Sequence, residues 1–157
     1  MSETVFDPIP SINAECNATY DFIDILRREQ HALRQSDVSL LLPLAQEKAR
    51  QTQQLAQLAA ARKSWLGTLS PSPDRAGRNM ERGLRNFPGA AEAWEELLEV
   101  AETASQLNKI NGSLVGQRLR YTRQALSVLQ AIPQDAGLYG PNGHSQAFSG
   151  GRELGEV

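Results

Sequence analysis

The chain has 157 residues, 40% of them hydrophobic and only 6% aromatic, with Ala, Leu, Gln, Glu and Arg prominent, so one helical domain with its own core is the natural expectation. Sixteen basic against 18 acidic residues give a formal net charge of -2, which supplies no global attraction to phosphate backbones or anionic lipid; such binding would need a local patch. One cysteine, Cys16, excludes an internal disulfide, and with two distant histidines it does not make a metal site.

Residues 1–12 carry acids and two prolines rather than a basic, apolar leader, and no secretory signal is expected there. Pro8 and Pro10 predict an extended segment over 1–11. Apolar positions then recur at helical spacing, Ala18, Phe22, Ile25, Leu26 and Leu33, and predict a first helix over about 12–35. Gln35, Ser36 and Asp37 offer a cap. Beyond it Leu41, Leu44, Lys48, Gln51, Leu55, Leu58, Arg62 and Trp65 alternate in threes and fours, a second helix over about 39–66. Pro43 is awkward there: either the regular helix starts near Leu41 or it kinks at the proline. The run Leu40–Leu42, continued by Pro43–Ala45, is the longest apolar stretch and falls far short of the roughly 20 residues of a membrane span. A soluble protein is expected.

Two prolines and two serines make 69–74 a loop, followed by a short, soft third helix over about 74–87, weakened by Gly77 and Gly83. After the turn at Phe87, Pro88 and Gly89 no proline interrupts residues 90–132, and Trp94, Leu98, Ala101, Ser105, Asn108, Gly112, Val115, Leu119, Thr122, Leu126 and Leu129 step by four and three. That stripe predicts the bundle seam of a long last helix. Its middle is small or polar, which reads as register specification, a bend at Gly112, or a groove that opens for a partner. Pro133 stops the helix, and 133–157 is rich in glycine and serine, a flexible tail in which Leu138 and Tyr139 stand out among turn formers. The fold expected is all-α, an elongated antiparallel four-helix bundle of long hairpins with disordered ends, residues 12–132 forming its body.

Little points to catalysis. No Gly-x-Ser-x-Gly elbow and no phosphate-binding Gly-x-x-x-x-Gly-Lys loop occurs, and neither an enzyme nor a cofactor is expected. His31-Ala-Leu-Arg34 is similar to the His-x-Leu-Lys-Gly motif of histidine phosphotransfer domains, although Gln35 stands where that motif has glycine; a solvent-facing histidine is the plain alternative. Arg75, Arg78, Arg82 and Arg85 form a basic stripe, and Glu92, Glu95, Glu99 and Glu102 an acidic one beyond the turn, so the two either pair across a hairpin or stay solvated. No aromatics interleave the arginines, which argues against nucleic acid.

Asn108-Lys-Ile-Asn-Gly-Ser-Leu-Val115, then Arg118-Leu119, Gln124-Ala-Leu126 and Leu129, and finally Leu138-Tyr-Gly-Pro-Asn-Gly143, resemble the FlgN-like family of flagellar export chaperones. Glu29, Leu33, Asp37 and Lys48 fit its weaker N-terminal pattern. The resemblance implies a cytoplasmic chaperone, without cofactor, for the two hook-filament junction proteins, holding their helical C-terminal segments and delivering them to the export gate membrane protein of the flagellar type III system. For such a chaperone the groove expected to bind the client is Asn111, Leu114, Val115, Leu119, Leu126 and Leu129, and the point expected to dock on the gate is Leu138, Tyr139, Gly140 and Pro141, where an aromatic on a tail adds buried area at low ordering cost. An amphipathic client helix is read at such spacing, while the same apolar residues serve equally to fill a bundle core. A purely structural coiled-coil protein is the bland rival.

Overall fold

A computed structural model describes residues 6–69 and 76–132, with side chains left aside for 76–79. Among the described residues there are four helices, α1 (Ile9–Gln35), α2 (Val38–Leu69), α3 (Ala76–Leu84) and α4 (Ala90–Ala131), and no strand, so the protein is an all-α helical bundle. The chain divides into two units, Met1–Gln117 and Arg118–Val157. In the second, the described residues are the last turns of α4 and Ile132.

The helix ends follow local chemistry. α1 begins at Ile9, ahead of the expected residue 12, because both prolines sit where a missing N–H costs nothing: Pro8 is the N-cap and Pro10 lies in the first turn. The carboxylate of Asp7 accepts the Ile9 N–H at 3.0 Å and supplies the capping bond that Pro8 lacks. α1 ends at Ser36 in the left-handed conformation, φ 61°, with the Asp37 N–H donating to the Ala32 carbonyl at 3.0 Å. α2 starts at Val38 and carries Pro43 within the helix, in an exposed part of its N-terminal end.

The polar contacts give the directions of the helices. Arg62 meets Glu15, Gln51 donates to the Ala18 carbonyl at 2.9 Å, and Lys48 meets Glu29 at 3.1 Å, so α2 runs antiparallel to α1. Tyr20 donates to Glu96 at 3.1 Å and Asn111 to the Leu26 carbonyl at 2.8 Å, so α4 runs parallel to α1. α4 is therefore antiparallel to α2 and parallel to α1, within a mostly antiparallel order. The short α3 turns the chain around at one end, and α4 starts again beside the N-terminus of α1, where Gly89, at φ +83°, lies 3.9 Å from Ile9 for an added Cβ.

One core joins the three long helices with α3: Ile12, Cys16, Ile23 and Leu26 from α1, Trp65 from α2, Met80 and Leu84 from α3, and Ala90, Leu97, Val100 and Ala104 from α4. Gly83 is in place because α3 and α2 approach closely; a Cβ there would stand 3.1 Å from Cδ1 of Leu66. The buried face of α4 is not the expected one. Ala90, Leu97, Val100, Ala104 and Asn111 are buried, with Ala93, Leu107 and Leu114 partly so, a stripe that also steps by three and four. It lies one residue before the stripe from Leu98 to Leu129, whose members are mostly exposed. Over the stretch from 97 to 112 the buried stripe is the more apolar of the two, Leu97, Val100, Ala104 and Leu107 against Leu98, Ala101, Ser105, Asn108 and Gly112, so burying it removes more apolar surface from water.

Candidate functional site

Because α3 has only 9 residues, the bundle contains three long helices and lacks a full-length fourth. A trough of about 520 Å³ remains in the first unit, bounded by Glu15, Thr19 and Phe22 of α1, by α2 from Thr52 to Arg62, and by α4 from Trp94 to Asn108. Leu55, Ala56, Ala59, Leu98 and Ala101 make it apolar. At about 1.5 Å per residue it is roughly 15 to 20 Å long, the length of three to four helical turns.

Its polar groups are fixed. The Glu15 carboxylate, nearly buried, is held by Arg62, and the Arg62 guanidinium also stacks over Trp94, 5.2 Å from the ring centroid. The trough is thereby closed at one end by an ion pair roofed with an indole. Further along, Asn111 is 1% exposed and donates twice from Nδ2, to the Leu26 carbonyl and, at 2.9 Å, to the Glu29 carboxylate, which Lys48 also holds. The Glu29 carboxylate of α1 thus joins α4, through Asn111, and α2, through Lys48, while Oδ1 of Asn111 has no partner. Glu29, Lys48 and Asn111, separate marks in the sequence, converge here. Asn111 does not face an open groove in this arrangement; it is a lock inside the bundle, and Leu114 is half-buried on the same face.

Val115, in the first unit, and Leu119, Leu126 and Leu129, in the second, are exposed, with 48% of Leu119 and 64% of Leu129 open to solvent. Tyr121, Val128 and Ile132 of the second unit are exposed as well, so apolar surface there goes beyond what the stripe contributes. Leu138, Tyr139, Gly140 and Pro141, the residues expected to dock on the gate, lie outside the described residues.

The other marked residues carry less. His31 is exposed near the end of α1. Among the described residues no ion pair joins Arg82 or Arg85 to the acidic stripe of α4; Arg85, Glu92 and Glu95 instead border a separate hollow beside Phe87 and Pro88. Arg28 is shared by Asp24, at 3.0 Å, and Glu47, at 2.5 Å, and that hydrogen bond holds the Glu47 carboxyl below the usual carboxylate range. Burial, with the nearby Glu96 carboxylate, pushes the Cys16 thiol up and away from its reactive thiolate form. Among the described residues no group of three or more His, Cys, Asp or Glu is placed to hold a metal, and no helix is long and apolar enough to cross a membrane.

What the fold defines is an all-α bundle whose polar lock is internal and whose unpaired surface is apolar. The chain belongs to the FlgN protein family, whose pattern matches residues 1–147. Among curated proteins it is 38% identical over 78 residues to a flagella synthesis protein FlgN of Yersinia enterocolitica, 49% of this chain and 52% of that protein. The same values hold for the FlgN of a serotype O:8 strain of that species. The chain therefore spans about half the length of the curated relatives it matches. No solved structure matches it.

Proposed function

We propose that this protein is a flagellar export chaperone that holds the C-terminal helical segments of the hook-filament junction proteins and delivers them to the flagellar type III export gate. Membership of the FlgN family and the name of its relatives, flagella synthesis proteins, support the flagellar setting. The observation that carries the holding role is the exposed apolar face of α4 at Val115, Leu119, Leu126 and Leu129, spaced to read an amphipathic helix at one side. Asn111 and Leu114 join that face only if α4 exchanges its contacts with α1 for contacts with the client. Leu138 and Tyr139, with Gly140 and Pro141, are the proposed docking point on the cytoplasmic part of the gate protein, since an aromatic on a tail adds contact area at low ordering cost.

Mixing the protein with the C-terminal segment of a hook-filament junction protein is expected to give a complex on gel filtration. No complex at high micromolar concentration overturns the reading. Tyr139→Ala is expected to spare that complex and to lower secretion of the client; equal loss of both would remove the division of labour between helix and tail.

A further inference from the structure

We propose that the trough of the first unit is a docking site for a basic amphipathic helix of another protein, one with large aliphatic side chains on one face and lysine or arginine along one flank. Every residue that lines the trough lies between Glu15 and Asn108, inside the first unit. None belongs to the 115–129 face proposed above for the client, so the two sites stand or fall separately.

The shape asks for a helix. α2 and α4 both pack on α1, and the trough between them is the place of the fourth long helix that a nine-residue α3 does not supply. Its α2 bank is lined by Ala56 and Ala59 and its α4 bank by Ala101 and Ser105, over an apolar floor at Phe22 and Leu97. Small residues on both banks leave depth for large ones, because packed helices interdigitate large side chains with small at an axial separation of about 8 to 10 Å. Leucine-sized residues stepping by three and four along three to four turns fill such a space.

Charge then chooses the guest. Glu95 and Glu102 are exposed two turns apart, on the side of α4 that carries Leu98. Among the described residues neither forms an ion pair, and Glu102 accepts a hydrogen bond from Gln106 at 3.0 Å. No lysine or arginine occurs between Ala90 and Asn108 to offset them. The facing stretch of α2, from Lys48 to Leu69, holds no carboxylate, so only the α4 bank is acidic. Trp94 and Leu98 line both the trough and the hollow beside Phe87, where Glu81, Glu92 and Glu95 outnumber Arg85. A long basic side chain that crosses this ridge from the trough therefore ends among carboxylates. The same bank repels a fatty acid or an anionic lipid. It also repels residues 133–157 of this chain, where Arg152 stands against Asp135, Glu153 and Glu156.

A synthetic helical peptide of roughly 16 residues tests the proposal. It carries leucines stepping by three and four, a pair of lysines two turns apart on one flank, and alanine and glutamine elsewhere; a twin has glutamate for lysine. Fluorescence anisotropy of the labelled peptides is read against the full chain. The lysine peptide should bind at micromolar concentration and its twin at least about tenfold more weakly. Glu95→Lys combined with Glu102→Lys should reverse that order, which a mere loss of fold would not do. Glu99→Lys, where α4 borders Tyr20 and Asp24 instead, should change either affinity by about twofold or less. Ala101→Phe should block both peptides with unchanged helical circular dichroism, and Leu119→Ala should leave both as they were. Equal binding of the twins overturns the proposal, as does a preference that the double lysine variant fails to reverse. Binding lost with Leu119→Ala and kept with Ala101→Phe overturns it too, and self-association through the trough with no peptide bound would assign the site to a second copy of the chain instead.

Discussion

Replacing Asn111 separates what the bundle gains from this residue from what it pays. Its Nδ2 donates to the Leu26 carbonyl at 2.8 Å and to the Glu29 carboxylate at 2.9 Å, and its Oδ1 is buried without a partner. A hydrogen bond to a neutral acceptor contributes about 1 kcal/mol net and one to a charged acceptor about 1.5 to 3, while an orphaned buried oxygen costs about 1 to 3. These nearly cancel. Asn111→Leu keeps the shape and removes the orphan; the Leu26 carbonyl retains its helical donor and Glu29 retains Lys48, so stability should stay within about 1 kcal/mol of the parent. Asn111→Ala loses the bonds and leaves a hole, a cost of about 1 to 2 kcal/mol. Asn111→Asp sets a carboxylate against Glu29 and the Leu26 carbonyl in a buried site and should cost about 3 kcal/mol or more. Urea unfolding followed by far-ultraviolet circular dichroism gives all three values. An Asp variant as stable as the parent, or a Leu variant weaker than the Ala variant, would refute the reasoning.

Gly83→Val should destabilise the α2–α3 contact by about 1 to 3 kcal/mol, seen in the same unfolding assay, because the close approach to Leu66 leaves no room for a branched side chain. Cys16 should react with a thiol reagent far more slowly at neutral pH than an unfolded peptide does, at a rate that rises with denaturant in step with opening of the core, since the thiol is both buried and pushed toward its protonated form. Glu47 titrates below its unfolded range, so its contribution is complete above the ordinary carboxylate pKa and disappears as pH falls through the lowered folded value. In a carboxyl NMR titration Arg28→Ala should return Glu47 to the ordinary range; an unchanged value would show that Arg28 is not the cause.

Much of the fold was legible because its signals are local. The prolines and serines of 69–74, the turn at Phe87–Gly89 and the uninterrupted pattern after Ala90 mark four helices to within a few residues of those described. α1 starts earlier than the expected residue 12 because prolines that break a helix interior are starters in a first turn, which depends on where the helix begins and not on the residues alone. The seam of α4 differs from the expected one for a deeper reason. Two adjacent stripes both step by three and four, and periodicity cannot choose between them. Packing buries the one that is more apolar over 97–112, with Leu97, Val100 and Leu107, and leaves exposed the one whose large apolar residues come after Gly112. Glu29, Lys48 and Asn111 were each marked by a family resemblance, yet their joint hydrogen bonding depends on α4 running parallel to α1, which the sequence does not carry. The trough was invisible for the same reason, being the space that a nine-residue α3 fails to fill.

The exposed face of α4 is proposed to hold a client helix. Titration calorimetry of the C-terminal segment of a hook-filament junction protein against the parent, Leu119→Ala and Leu126→Ala tests it most directly. Each leucine, about half exposed and buried on binding, should be worth about 1 to 2 kcal/mol, so each variant should bind about tenfold more weakly while its helical signal is unchanged. Full-strength binding by both variants would contradict the account.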